Sequence, residues 1–258
     1  MSNIETSRHI PLDGNYNVRD IGGYPTNTGG TTRWKIFLRS DSMGSLTTSD
    51  QDTLIAYGIK SVIDLRTTLE TQTDPNVFYD SRKATYHHFN IVGDVPTVPE
   101  DEWVKIGVPA SRIVTMYTRW LDRRQPQIAE TLGTLADTIN QPAIYHCAGG
   151  KDRTGVISAL LLGLAGVPRD TIVSDYSLTA KYLFRRTLDG RDRSDNVVLE
   201  AEKDINSPKD FEDEFCPPGG MEGTLDHLDK VYGGIEAYTR VIGLTENQIG
   251  SIRDALTT

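Results

Sequence analysis

Short apolar runs alternate with longer amphipathic stretches along this chain, and that alternation predicts a mixed α/β fold. Residues 36–39 and 61–65 (Ser-Val-Ile-Asp-Leu) read as strands, residues 86–89 as a weaker one, and residues 143–146 as a short strand before a glycine-rich turn. A helix fits between the first two strands. Thr48 and Gln51 have capping-box spacing, and Gly58 suits a left-handed end. Helical spacing returns over residues 111–121 and 127–139. Residues 154–165 are almost wholly apolar, which predicts a buried central helix. Gly166 and Pro168 separate it from another helix running to about residue 183, and three short helices are expected near the C-terminus, the last capped by Thr245 and Gln248.

Three stretches break the pattern. Residues 12–31 are rich in Gly, Asn and Asp and read as loop. Residues 93–110 carry Pro96, Pro99, Pro109 and acids around Trp103, the profile of a functional loop or lid base. Residues 185–208 are highly charged and irregular. With no internal repeat, the expectation is one domain over residues 1–258: an N-terminal segment 1–45, a central loop 146–155 and C-terminal helices over 210–258.

Composition narrows the function. The formal charge of −9 disfavours nonspecific nucleic-acid binding. No apolar run approaches the roughly 18 residues of a membrane helix. Residues 1–11 lack the apolar core of a secretory signal, so the expected location is the cytoplasm, or export by a route without a classical signal peptide. Two cysteines, Cys147 and Cys216, make no disulfide framework or zinc spacing.

The chemistry concentrates in residues 143–155, Ala-Ile-Tyr-His-Cys-Ala-Gly-Gly-Lys-Asp-Arg-Thr-Gly. A strand ending at His146 and a helix starting near Thr154 leave Cys147, Ala148, Gly149, Gly150, Lys151, Asp152 and Arg153 in a tight loop. Its backbone N–H groups form a cradle on the positive end of the helix, where anions bind. The same field lowers a cysteine pKa, so Cys147 can attack as thiolate. Arg153 offers a planar fork for two phosphate oxygens, a geometry lysine lacks. Thr154 is placed to bond the thiolate, and His146 to orient the loop through a buried hydrogen bond. A Walker A loop fits worse: Asp152 follows Gly150-Lys151 where Ser or Thr belongs. Loss of the leaving oxygen needs a proton donor. Asp152 is the first candidate, with Asp64 and Asp94 as alternatives; a salt bridge for Asp64 and a solvated loop position for Asp94 are the plainer readings. Cys216 has no expected catalytic role.

These residues resemble the C-x5-R cysteine phosphatases, and among them the atypical bacterial tyrosine and lipid phosphatases, a group with secreted mycobacterial and listerial members. The likeness extends to Leu12–Gly23, to Leu38-Arg-Ser40, to Val62-Ile-Asp-Leu-Arg66 with Glu70, and to Tyr232–Tyr238. Gly149 departs from the alanine such loops often carry. The resemblance implies a central, mostly parallel sheet flanked by helices, with a helical lid or insertion. It implies a phosphocysteine intermediate, no metal and no cofactor, and phosphotyrosine, phosphoserine, phosphothreonine or phosphoinositide substrates. Myotubularin-like and Sac-like enzymes also carry Asp before the loop arginine, which supports Asp152, and lipid phosphatases place lysine where Lys151 stands. A catalytically silent phospho-ligand-binding module and a rhodanese-like sulfurtransferase are the competing readings. Intact Cys147, Asp152 and Arg153 oppose the first; the loop length, suited to a tetrahedral phosphate, opposes the second.

Overall fold

The structure is a computed structural model that describes residues 8–94, 109–189 and 205–257. Its strands are β1 (Arg19–Asp20), β2 (Phe37–Ser40), β3 (Ser61–Asp64), β4 (Thr85–His88) and β5 (Ala143–His146). Its helices are α1 (Thr48–Tyr57), α2 (Thr68–Thr73), α3 (Pro109–Arg123), α4 (Gln125–Ala136), α5 (Asp152–Leu164), α6 (Arg169–Ser177), α7 (Thr179–Leu188), α8 (Pro208–Phe215), α9 (Pro218–His227), α10 (Ile235–Val241) and α11 (Glu246–Leu256).

The strands form a sheet in the order β1-β2-β5-β3-β4. β2, β5, β3 and β4 run parallel, and only the edge pair β1–β2 is antiparallel. The expected mostly parallel α/β architecture is therefore present. Side chains alternate across the sheet: Leu38, Val62 and Ile144 join one core under α1 with Leu54 and Phe78. Phe37, Ile63 and Tyr145 join a larger core with α3 to α6 and the C-terminal helices. Helix α5 lies buried along nearly its whole length, as its unbroken apolar run requires.

Several boundaries differ from the sequence expectation. The α1 capping box is Thr47 with Asp50, not Thr48 with Gln51: the Thr47 hydroxyl takes the Asp50 N–H at 3.1 Å and Asp50 returns to the Thr47 N–H at 2.9 Å. Helix α4 stops at Ala136 because Asp137 turns extended and opens a 3-10 turn over Thr138–Asn140. The expected loop 12–31 contributes β1. Helix α2, closed by a Thr67/Glu70 capping box, lacks an apolar stripe and left no periodic signal. The single helix expected after Pro168 is two, α6 and α7, meeting at Leu178. The C-terminal region holds α8 to α11 and a π-helical turn over Leu228–Tyr232 rather than three helices. Most of the expected lid base lies outside the described residues, although Pro109 and Ala110 already belong to α3.

Candidate active site

The loop that follows β5 leaves the carboxyl edge of the sheet from its central strand, a common ligand position in parallel α/β folds. Its start is gripped from both neighbours. Leu65 N–H donates to the His146 carbonyl at 2.9 Å, and Ser42 N–H to the Ala148 carbonyl at 2.8 Å. Cys147 is buried at the loop entrance and Arg153 sits in the first turn of α5. Gly150 adopts a positive φ of 64° and packs against the β2 backbone, so close that a Cβ would stand 2.5 Å from the Ser40 oxygen. Gly149 meets no such obstacle: a Cβ there would reach Leu183 of α7 at 3.7 Å.

Arg153 is fixed by Glu70 of α2. Nη1 donates to Oε2 at 2.6 Å and Nη2 to Oε1 at 2.8 Å. That pairing occupies the end of the guanidinium and leaves its Nε edge facing elsewhere, so a second fork remains for an anion. Burial works against the Arg153 charge, but the attraction of Cys147 and Glu70 outweighs it and raises its pKa. Burial likewise opposes ionisation of Glu70, yet Arg153 and the Thr67 N–H bring it down to about 2. Glu70 had been visible only as part of a motif; its contact with Arg153 joins residues 83 positions apart.

The three acid candidates differ sharply in setting. Asp152 accepts from the Tyr117 hydroxyl at 2.6 Å and lies 3.3 Å from Lys151 Nζ, with part of its side chain open to solvent. Burial and the Asp152 charge keep Tyr117 a phenol, its pKa well above the ordinary value. Asp64 is buried in the Arg66 fork, with the Tyr86 hydroxyl at 3.0 Å and His146 Nε2 at 3.4 Å. Burial pushes its pKa up, but His146 and Arg66 hold it well below the carboxylate range, so it has no proton to give near neutrality. Asp94 caps α2, accepting from Thr68 N–H at 3.0 Å and from Asn90 at 2.8 Å. Only Asp152 belongs to the loop itself.

The remaining expected residues fall as follows. His146 is fully buried, with Nε2 2.7 Å from Asn76 Nδ2 and Nδ1 3.2 Å from the Cys147 carbonyl. Among the described residues the buried Thr154 hydroxyl has no hydrogen-bond partner. Lys151 Nζ donates to the Phe215 carbonyl at the end of α8 at 2.8 Å. Cys216, the next residue, is buried, and burial pushes its thiol up to about 12. A cleft of about 590 Å³ opens beside the loop, walled by Tyr16, Asp41, Ser42, Arg66, Glu70 and Ala148 among others.

A buried cysteine at the head of a glycine-rich loop, at the carboxyl end of a central parallel strand and followed by a partly buried arginine in the first turn of the next helix, is the arrangement of an α/β phosphatase. A model of the tyrosine phosphatase family matches residues 10–258, and the chain belongs to that family. It is 33% identical to a tyrosine-protein phosphatase of Nostoc commune over 84% of this chain and 72% of the relative. It is 24% identical to a triple specificity protein phosphatase of Mycobacterium tuberculosis over 95% of this chain and 98% of that one. A putative tyrosine-protein phosphatase of Cupriavidus necator is 24% identical over 68% of this chain and 64% of its own length. The protein is thus a phosphatase acting on a phosphorylated substrate. Among the described residues no helix is long and apolar enough to cross a membrane.

Proposed function

We propose that the protein hydrolyses phosphotyrosine in proteins through a phosphocysteine formed on Cys147. The observation that carries this reading is Cys147 buried where β5 gives way to the loop, with Arg153 held by Glu70 at 2.6 and 2.8 Å. In the first step Cys147 Sγ attacks phosphorus and the P–O bond to tyrosine breaks. Asp152 gives its proton to the departing phenolate oxygen. In the second step water attacks phosphorus, the S–P bond breaks, and Asp152 takes the proton from that water, releasing phosphate. Ala148, Gly149, Gly150 and Lys151 bind the phosphoryl oxygens through backbone N–H groups, and Arg153 stabilises the charge of the transition state. Thr154 hydroxyl, lacking a protein partner, is suited to stabilise the leaving thiolate; His146 and Asp64 support the loop from below.

Phosphoserine, phosphothreonine and phosphoinositides present the same monoester bond and are the alternative substrates; a relative named a triple specificity protein phosphatase supports a range wider than one residue type.

The test is phosphate release from phosphotyrosine and phosphoserine peptides and from mono- and bis-phosphoinositides, across pH. Cys147→Ser is expected to abolish turnover while still binding phosphate; residual turnover by that variant contradicts the nucleophile. A general acid must be protonated, so activity should fall on the basic side, and Asp152→Asn should lose that limb. A basic limb that survives in Asp152→Asn places the acid elsewhere.

A further inference from the structure

The loop carbonyls are anchored in a way the chemistry above leaves unused. Asn17 Nδ2 donates to the Gly149 carbonyl at 3.0 Å and to the Gly150 carbonyl at 3.1 Å. Arg39 Nη2 donates to the same Gly150 carbonyl at 2.7 Å. The Ala148 carbonyl is held by Ser42, so three successive loop carbonyls have partners outside the loop. Asn17 and Arg39 are both fully buried.

We propose that Asn17 and Arg39 are positioning residues of the phosphate loop, pinning its carbonyls outward and so aiming the N–H groups of Gly150 and Lys151 at the phosphoryl group. The proposal rests on the phosphatase reading. In a planar trans peptide the C=O and N–H bonds point in opposite directions. Fixing the Gly149 and Gly150 oxygens on one side therefore sends the next two N–H groups to the other. A run of glycines without such anchors has many orientations open to it, because glycine tolerates both signs of φ. A charged donor on a carbonyl also polarises the peptide and strengthens its N–H toward an anion.

The two anchors share one root. Arg39 Nη1 donates to Asp175 Oδ2, and Arg19 Nε donates to Asp175 Oδ1 at 3.1 Å. Arg19 Nη1 in turn donates to Asn17 Oδ1, which turns the amide so that its NH2 faces the loop. Asp41 fixes the Asn17 backbone by accepting its N–H at 3.1 Å. Asp175 of α6 thus reaches the loop by two arms, one through Arg39 and one through Arg19 and Asn17. The two guanidinium groups share the single Asp175 carboxylate, so Arg39 keeps a free donor edge for the Gly150 carbonyl.

The experiment compares wild type with Asn17→Ala and Asn17→Asp, at a temperature well below their melting points. Three quantities are read: inhibition by orthovanadate, the pH profile of Cys147 alkylation by iodoacetamide, and the melting temperature. Loss of the anchor is expected to weaken vanadate by about tenfold and to raise the alkylation midpoint by about one pH unit. Asn17→Asp should be the more severe, because it sets a carboxylate against two carbonyls. Variants that melt earlier but keep the vanadate inhibition and alkylation midpoint of wild type overturn the positioning role. Should Asn17→Ala fail to fold, Arg39→Lys provides the same comparison, keeping a charge near Asp175 while losing the donor on Gly150. A wild-type chain that neither binds vanadate nor turns over p-nitrophenyl phosphate overturns the phosphatase reading and this proposal with it. An active wild type with unmoved folded variants overturns the positioning alone.

Discussion

Arg153 and Glu70 meet across two elements, and on the proposed mechanism their pairing links catalysis to acid stability. With Glu70 gone, the guanidinium keeps its charge but loses its fixed direction, and misplacement of a reacting group by about 1 Å costs about 10²-fold in rate. Glu70→Gln is therefore expected to lower kcat on that scale, with circular dichroism unchanged; a kcat within about twofold of wild type shows that Arg153 orients itself. The pH dependence follows from the depressed pKa. Glu70 ionises at about 2 in the folded chain, below its unfolded value of roughly 4.3. Its pair with Arg153 thus adds stability above that unfolded value, and the contribution is lost as pH falls toward about 2. The melting-temperature gap between wild type and Glu70→Gln should narrow over that window; a gap independent of pH removes the ion pair as its cause.

The loop between β5 and α5 shows how an element's backbone decides what its side chains can do. Two adjacent glycines look equivalent in sequence, but only Gly150 combines positive φ with direct contact on the β2 backbone. Gly150→Ala needs both a strained dihedral and a shift of the Ser40 carbonyl, an overpacking cost of about 1–3 kcal/mol. Gly149→Ala makes only ordinary van der Waals contact, with Leu183 at 3.7 Å, and is expected to stay within about 0.5 kcal/mol of wild type. Urea unfolding of both variants checks the pair, and equal losses defeat the distinction. Helix α5 was legible beforehand because burial on all sides leaves an uninterrupted apolar run. Helix α2 was not, since its six residues expose polar side chains and rely on a capping box.

Across the whole molecule, one buried carboxylate joins β1, β2 and α6. Asp175 is paired with Arg19 and Arg39, all three essentially without solvent contact. Burial raises the cost of its charge, yet the two arginines hold its pKa below the carboxylate range. Asp175→Asn strands two guanidinium groups in the interior, and breaking such a buried pair costs about 3–5 kcal/mol. Urea denaturation measures this; a loss under about 1 kcal/mol shows that the site rehydrates. Asp175 carried no sequence signal beyond an acid flanked by Ser174 and Tyr176 in a helix, because its two partners lie 156 and 136 positions away.

Local order determined what could be read directly. The Cys147-to-Arg153 spacing, the Gly pair and the apolar helix after them specify a strand–loop–helix from neighbours in sequence, since strand, turn and helix propensities act over a few residues. The alternation of strands and helices likewise determined the α/β class. Tertiary structure alone decided which acid is locked in an arginine fork. Asp64 and Asp152 are both acids near an arginine in sequence, but only packing turns Asp64 into the Arg66 fork and sets Asp152 beside Tyr117. It also decided that Glu70 meets Arg153, and that Asn17 and Arg39 meet the loop carbonyls. Those contacts join segments brought together only when the sheet closes its strand order β2-β5-β3, and no local pattern encodes a partner at that distance.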